Sequence, residues 1–281
     1  MRIGGTVFKE YDSPASWVKA VHAMGYTADR DFLPWDADDD LIRAYAEAAR
    51  KADILVAELG AWHGWEQLHP DPGIRARHAE KIKTRLMQAD KIGARCCVAI
   101  SGYAVSCGED EPLPDHLSKG IFDQVVETVR EVIDAVRPTR TFFTLETMPW
   151  LYPNTVDSYV RLLKAVDRKA FAVHFDPINL LNSPERYYGN AVIVKEFCEK
   201  LGPHIRSCHV KDIVLTKRLM VHMDRTLPGQ GGFDFRTFLC EVNKLGDPDL
   251  PLMLEYPGTE EEFRQSAAYL RSLAREEGIR L

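Results

Sequence analysis

Short β-type apolar runs alternate with longer amphipathic runs along the whole chain, and this alternation limits what the chain can fold into. Residues 3–8, 26–28, 54–59, 95–100, 141–145, 171–175, 205–210 and 252–254 read as strands, the second with the weakest signal. Residues 14–24, 39–51, 74–92, 118–136, 155–166, 185–201 and 235–245 read as the helices between them, and residues 260–277 close the chain. Repeated βα units predict a parallel sheet covered by helices. With 281 residues and no low-complexity linker, the expectation is a single-domain (β/α)8 TIM barrel over residues 1–281.

Local signals support these boundaries. Ser13-Pro14, Asn154-Thr155 and Ser183-Pro184 place capping side chains at helix starts, two of them with proline in the first turn. Gly25, Gly93, Gly202 and Gly246 stand just past helix ends, where a left-handed residue is expected. The longest segments after strands are 60–73, 101–116 and 212–234. In a barrel such βα loops build the functional face.

Four polar residues each end an apolar strand: Glu146 after Thr141-Phe-Phe-Thr-Leu, Asp176 after Phe171-Ala-Val-His-Phe, His209 after Ile205-Arg-Ser-Cys, and Glu255 after Leu252-Met-Leu. Successive members are 30, 33 and 46 residues apart, spacings that fit four consecutive βα units whose strand ends converge on one barrel mouth. Three carboxylates gathered there repel one another unless a cation neutralises them. Three carboxylates and one imidazole suit one divalent ion, Mn²⁺ foremost, with Mg²⁺, Co²⁺ and Zn²⁺ also compatible, and leave coordination positions for substrate oxygens.

Composition narrows the class of partner. A formal charge of -6 gives no broad attraction for nucleic acid or anionic lipid. No apolar run approaches a membrane span. Cysteines 96, 97, 107, 198, 208 and 240 form no CxxC pair and no secretory signal precedes them, so reduced thiols in a cytoplasm are expected. A homo-oligomer is left open.

The stretches Leu145-Glu-Thr-Met-Pro149, His174-Phe-Asp-Pro-Ile-Asn179, Cys208-His-Val-Lys-Asp-Ile213, Pro228-Gly-Gln-Gly-Gly-Phe-Asp-Phe235 and Leu254-Glu-Tyr-Pro-Gly258 resemble the xylose isomerase-like barrel superfamily. The nearest branch is that of sugar phosphate isomerases and epimerases, which includes ketose 3-epimerases and inosose dehydratases. The resemblance covers nearly the whole chain. It implies that Glu146, Asp176, His209 and Glu255 hold the metal, that Glu146 and Glu255 double as acid and base, and that the substrate is a sugar or keto-sugar. Asn179 stands where the epimerases carry a substrate-binding histidine, and His209-Val-Lys211-Asp212 resembles the His-x-Lys-Asp of inosose dehydratases.

Further substrate contacts are expected from Lys211, which shares strand parity with His209, and from Asn179, Glu58, Trp62, His222 and Arg225. Trp62, Trp65 and Trp150 are candidates to stack on a sugar ring, whereas His174 reads as a core histidine one layer deeper. Gly229-Gln-Gly-Gly232 lacks dinucleotide-motif spacing and reads as a turn rather than a phosphate cradle. The chemistry expected is proton abstraction beside a carbonyl to give an enediolate. Epimerisation or isomerisation is the first reading. The alternative is a lyase, dehydratase or hydratase acting on an inosose or a 3-oxo-glycoside, C-glycoside cleavage included. An endonuclease IV-like repair enzyme is a distant third, because it needs three zinc ions and histidines at earlier strand ends.

Overall fold

The computed structural model describes residues 1–62, 66–103, 113–256 and 258–281. Strands β1 (Arg2–Gly4), β2 (Ala28–Arg30), β3 (Leu55–Gly60), β4 (Cys96–Ala99), β5 (Phe142–Leu145), β6 (Phe171–Phe175), β7 (Ile205–Val210) and β10 (Pro251–Leu254) form one sheet in the order β1-β10-β7-β6-β5-β4-β3-β2. Their pairings are parallel. Thr27 N donates to Ile3 O at 3.0 Å, joining the β1 and β2 edges and closing the sheet. Helices α1 (Pro14–Ala23), α2 (Asp39–Lys51), α3 (Pro72–Ile92), α4 (Lys119–Val136), α5 (Val156–Val166), α6 (Pro184–Tyr188), α7 (Asn190–Leu201), α8 (Phe235–Lys244) and α9 (Glu260–Glu276) lie along the chain between and after the strands. The fold is the expected (β/α)8 barrel.

Strands buried on both faces read as continuous apolar runs, and β4 and β6 are buried at every position. The helices supply the outer half of the core. In α4, Phe122, Val125, Val129 and Val132 recur at helical spacing and are buried, each contributing about 1.5–3 kcal/mol relative to exposure. Ser13, Thr155 and Ser183 cap their helices through backbone N–H groups, as their sequence positions predict.

Four boundaries differ from expectation. The chain leaves the sheet after Gly4, and Phe8 packs edge-on against Phe263 at 5.3 Å instead of extending β1. The second strand runs through Asp29 and Arg30, whose charges hide its β character in the sequence. The helix expected over 185–201 divides at Gly189 into α6 and α7. Within segment 212–234, β8 (Asp212–Leu215) and β9 (Met223–Thr226) pair as an antiparallel hairpin.

Gly25, Gly93 and Gly246 are left-handed as expected, but Gly202 is not: it adopts α-helical angles and leads into a 3-10 turn. Close packing explains the glycine there, since a Cβ would lie 2.5 Å from Leu245 Cδ2.

Candidate metal centre

The barrel brings Glu146, Asp176, His209 and Glu255 together so that one ligand atom from each lies within 4.8 Å of the others. Backbone bonds continue the ladder past the strand ends and fix the two glutamates: Glu146 N donates to Ala99 O at 2.8 Å and Glu255 N to Val210 O at 3.0 Å. Asp176 Oδ1 accepts from Ile178 N and Asn179 N at 3.1 and 3.3 Å. The imidazole Nδ1 of His209 is 3.3 Å from Glu146 Oε1, 3.1 Å from Glu255 Oε2 and 3.8 Å from Asp176 Oδ2.

Lys211 joins the cluster, its Nζ 2.5 Å from Asp176 Oδ2 and 2.7 Å from Glu255 Oε2. The strand parity that aimed it at the barrel therefore holds. Asn179 Nδ2 donates to Glu146 Oε1 at 3.1 Å. Burial, together with Glu255, raises the Glu146 carboxyl above the usual carboxylate range against the pull of His209. For Glu255, burial also pushes upward, but His209, Lys211 and Arg30 outweigh it and leave the group well below its ordinary value. Burial would lower His209, yet Glu255, Glu58 and Glu146 raise it well above the ordinary imidazole range. Crowded negative charge thus favours the protonated form of His209 and draws Lys211 and Arg30 onto the cluster.

A divalent cation fits these residues. The donor set offers three carboxylates and an imidazole, which match a hard-to-borderline ion. Asp176 Oδ2 is fully buried and accepts no well-directed hydrogen bond, its neighbours being the charges of Lys211 and His209.

A second layer lies beneath. Glu58, expected among the substrate contacts, sits inside the barrel with no exposure, turned inward from β3 onto side chains of β6 and β7. Its Oε2 is 3.2 Å from His209 Nε2 and its Oε1 3.2 Å from His174 Nε2, while Ser207 Oγ donates to Oε1. A carboxylate on the outer nitrogen of a ligand histidine fixes the ring's orientation and tautomer. His174, buried, packs against His209 with ring centroids 4.1 Å apart, as a core histidine one layer down. Glu58, His174 and His209 also form a candidate metal-binding group, but neither Glu58 nor His174 lines the cavity described next.

Arg30 is the residue that sequence reading missed. Its Nη1 is 2.7 Å from His209 Nε2 and 3.7 Å from Glu58 Oε2, and its Nη2 is 3.7 Å from Glu255 Oε1. The available signal was an arginine closing the weakest strand, recognisable only once that strand is known to end at Arg30 rather than Ala28.

Above the cluster opens a cavity of about 760 Å³ lined by Glu146, Glu255, Lys211, Asn179, Arg225, Trp62 and Trp150 among others. Asp176 and His209 lie below its floor. Trp62 Nε1 donates to Asp31 Oδ2 at 2.9 Å. His222, expected among the substrate contacts, is exposed in the turn between β8 and β9 and is not part of the lining. Trp65 and Cys107 lie outside the described residues, and the other five cysteines are unpaired thiols.

The glycine segment after the hairpin is organised by Asp212. Its carboxylate accepts from the backbone N–H groups of Ile213, Gly229, Gly231 and Phe233 at 2.8, 3.0, 2.9 and 3.1 Å. Those N–H groups are turned inward.

The match to the family model of the xylose isomerase-like TIM barrel extends over residues 18–273. The chain belongs to the xylose isomerase-like TIM barrel family. No curated protein matches it in sequence. Solved structures with this fold include a D-psicose 3-epimerase determined in the presence of D-fructose, at 12% identity and TM-score 0.72 over 98% of this chain and 99% of that one. A 3-keto-D-glucoside 4-epimerase from E. coli matches at 15% identity and TM-score 0.70, covering 97% and 99%. Endonuclease IV from Thermus thermophilus matches at 15% identity and TM-score 0.75, covering 98% and 100%. At these identities the likeness is one of fold. No helix among the described residues of this family member is long and apolar enough to cross a membrane.

Proposed function

We propose that this chain is a divalent-metal-dependent sugar isomerase or epimerase that moves a proton on the carbon beside a substrate carbonyl. One observation carries the reading: of the four clustered ligands, Glu146 and Glu255 line the cavity while Asp176 and His209 close the cluster from beneath. The two glutamates therefore reach both the candidate metal position and a substrate above it. A divalent ion bound there supplies Lewis-acid stabilisation of negative charge developing on vicinal substrate oxygens.

The chain's own groups move the proton. One glutamate takes it from carbon as a general base, and the other returns a proton to the opposite face, giving an epimer, or to the neighbouring carbon, giving an isomer. Asn179 holds Glu146 in place through its amide, and Lys211 keeps a fixed positive charge beside Glu255. An unphosphorylated substrate is favoured, because Asp212 already occupies the backbone N–H groups of the glycine segment. Of the loop cations Lys217, Arg218 and Arg225, only Arg225 lines the cavity, while Lys217 and Arg218 are exposed near the hairpin tip, so no cluster of cations faces the substrate from this loop. An endonuclease reading lacks support: β1, β2 and β4 end in Gly4, Arg30 and Ala99, and the described residues hold only the two candidate metal groups, which share His209.

The test is a proton NMR screen of the Mn²⁺-supplemented protein in D₂O with ketohexoses, 3-oxo-glucosides and inososes. Deuterium should enter a substrate at the carbon beside its carbonyl, and product analysis separates an epimer from a dehydrated ring. Glu146→Gln and Glu255→Gln should each slow exchange by at least about 100-fold with the fold intact by circular dichroism. Absence of exchange with every substrate, or near-normal exchange in either variant, would overturn the assignment.

A further inference from the structure

Among the described residues, the large apolar side chains more than half exposed are Tyr188, Val192, Leu219, Met220 and Val221, at 57–95%. They form two patches. Leu219, Met220 and Val221 follow one another at the tip of the hairpin, whose last strand bond is followed by Thr216 N donating to His222 O at 2.9 Å. Met220 takes a φ of 66°, in the left-handed region that favours glycine, so this turn carries a long apolar side chain where a glycine would sit without strain. Lys217 and Arg218 precede the three, both exposed and neither with an ion-pair partner among the described residues.

Tyr188 and Val192 belong to α6 and α7. A groove of about 530 Å³ is lined by residues of α5, α6 and α7, with Leu180, Val192 and Ile193 among its apolar groups and Asp157, Glu185 and Glu196 as its carboxylates. Lys200 bridges Asp157 and Glu196 at 2.9 and 2.7 Å, and Arg186 turns its guanidinium to Leu180 O at 3.0 Å. Glu185 is exposed and has no ion-pair partner among the described residues. Three carboxylates against two cations leave the groove apolar with an acidic excess, and the tip is apolar with a basic one.

The two patches adjoin. Asn190, at the start of α7, donates its amide to Gly232 O at 3.0 Å and accepts from Asp234 N at 2.9 Å, which fastens the α6–α7 junction to the return segment of the hairpin. Within one chain the tip does not fill the groove, since Leu219 and Val192 both stay exposed.

We propose that the chain forms a two-fold dimer in which the hairpin tip of each copy seats in the groove lined by α5, α6 and α7 of the other. Leu219 and Met220 enter against Val192 and Ile193, and Lys217 and Arg218 meet the carboxylates led by Glu185. A second copy accounts for both patches at once, whereas a bilayer would take up the tip and leave the groove open. Because tip and groove stand side by side, one two-fold axis closes both contacts and hides the exposed apolar surface. Val221, Met223 and Arg225 of the same hairpin line the cavity, so the partner also steadies part of the cavity wall.

Sedimentation velocity of the full chain over a concentration series tests the dimer. The expected species has twice the chain mass of 31.9 kDa. Leu219→Asp and Val192→Asp, both at exposed positions, should each weaken association at least about tenfold with the circular dichroism unchanged. Mixed one to one, the two variants should associate more tightly than either alone, because the intact tip of the Val192→Asp chain meets the intact groove of the Leu219→Asp chain. A monomer at every concentration, a dimer that either variant leaves unchanged, or a mixture no tighter than its components overturns the proposal. So does tip-dependent co-sedimentation of a monomer with phosphatidylserine vesicles, which assigns the tip to a lipid surface instead.

Discussion

Asp29 shows how a single residue buried between β2 and α1 ties stability to pH. It is 2% exposed, accepts from Trp17 Nε1 at 2.6 Å, and burial pushes its carboxyl up to about 7 against that hydrogen bond. In the unfolded chain the same carboxyl ionises near its ordinary value, about 3.9. Below that value the group is protonated in both states and costs nothing. As pH rises toward about 7 the unfolded state gains the favoured charge first, so stability falls across this window and the penalty is complete above it. A raised pKa of this size corresponds to at most about 4 kcal/mol. Asp29→Asn should therefore raise the melting temperature relative to the parent at pH 8 and lose that advantage by pH 4. A difference that does not change between the two pH values would show that Asp29 is solvated. Glu58 and Arg30 act on the same scale within the site, both reaching His209 Nε2, at 3.2 and 2.7 Å.

The loop that follows β7 is organised as an element by one side chain. Asp212 begins β8 and accepts four backbone N–H groups, three of them from residues 229–233, so it fastens the return segment against the hairpin base. Gly231 is required there, because a Cβ would collide with Ile213 O and Asp212 itself. Asp212→Ala should destabilise the protein by about 2 kcal/mol, since hydrogen bonds to a charged group contribute about 1.5–3 kcal/mol when buried and less where water can replace them. It should also speed proteolysis after residue 227, and Asp212→Asn should restore part of the loss. Urea unfolding measures the first effect and limited proteolysis the second. Unchanged midpoints would mean that the hairpin is held by its strand pairing alone. Because Met223 and Arg225 of this hairpin line the cavity, the same substitution should weaken substrate binding as well.

At the scale of the whole molecule, the barrel gathers Glu146, Asp176, Glu255 and Glu58 around one imidazole and compensates them with Arg30 and Lys211. A closed sheet is what permits this concentration of charge, since its strand ends are held by neighbours on both sides. A cation that binds only the folded state adds stability by mass action, about 2.7 kcal/mol at a hundredfold excess over its dissociation constant. For a chain of this size the metal-loaded protein should melt about 5–10 °C above the chelated one. Differential scanning fluorimetry with Mn²⁺, Mg²⁺, Co²⁺ and Zn²⁺ after chelation measures this directly. No shift with any of the four would remove the metal from the site.

The barrel and the convergence of the four clustered residues were legible from the chain alone because both are periodic or positional facts. Apolar runs buried on two faces announce parallel strands, and a polar residue ending such a run must lie at the sheet's edge, as Glu146, Asp176, His209 and Glu255 do. Lys211 was legible by parity for the same reason. Arg30, the depth of Glu58 and the binding of Asp212 to the glycine segment were not, because each depends on register or on contacts between residues far apart in sequence. β2 ends two residues later than its apolar run, and Glu58 takes its depth from His174, Ser207 and His209, which lie 116, 149 and 151 residues further along the chain. The carboxylate of Asp212 finds its partners 17 to 21 residues downstream. Spacing along the chain placed the four residues at one mouth, while only the closing of the sheet decided which charges stand beneath them and which side chains line the cavity above.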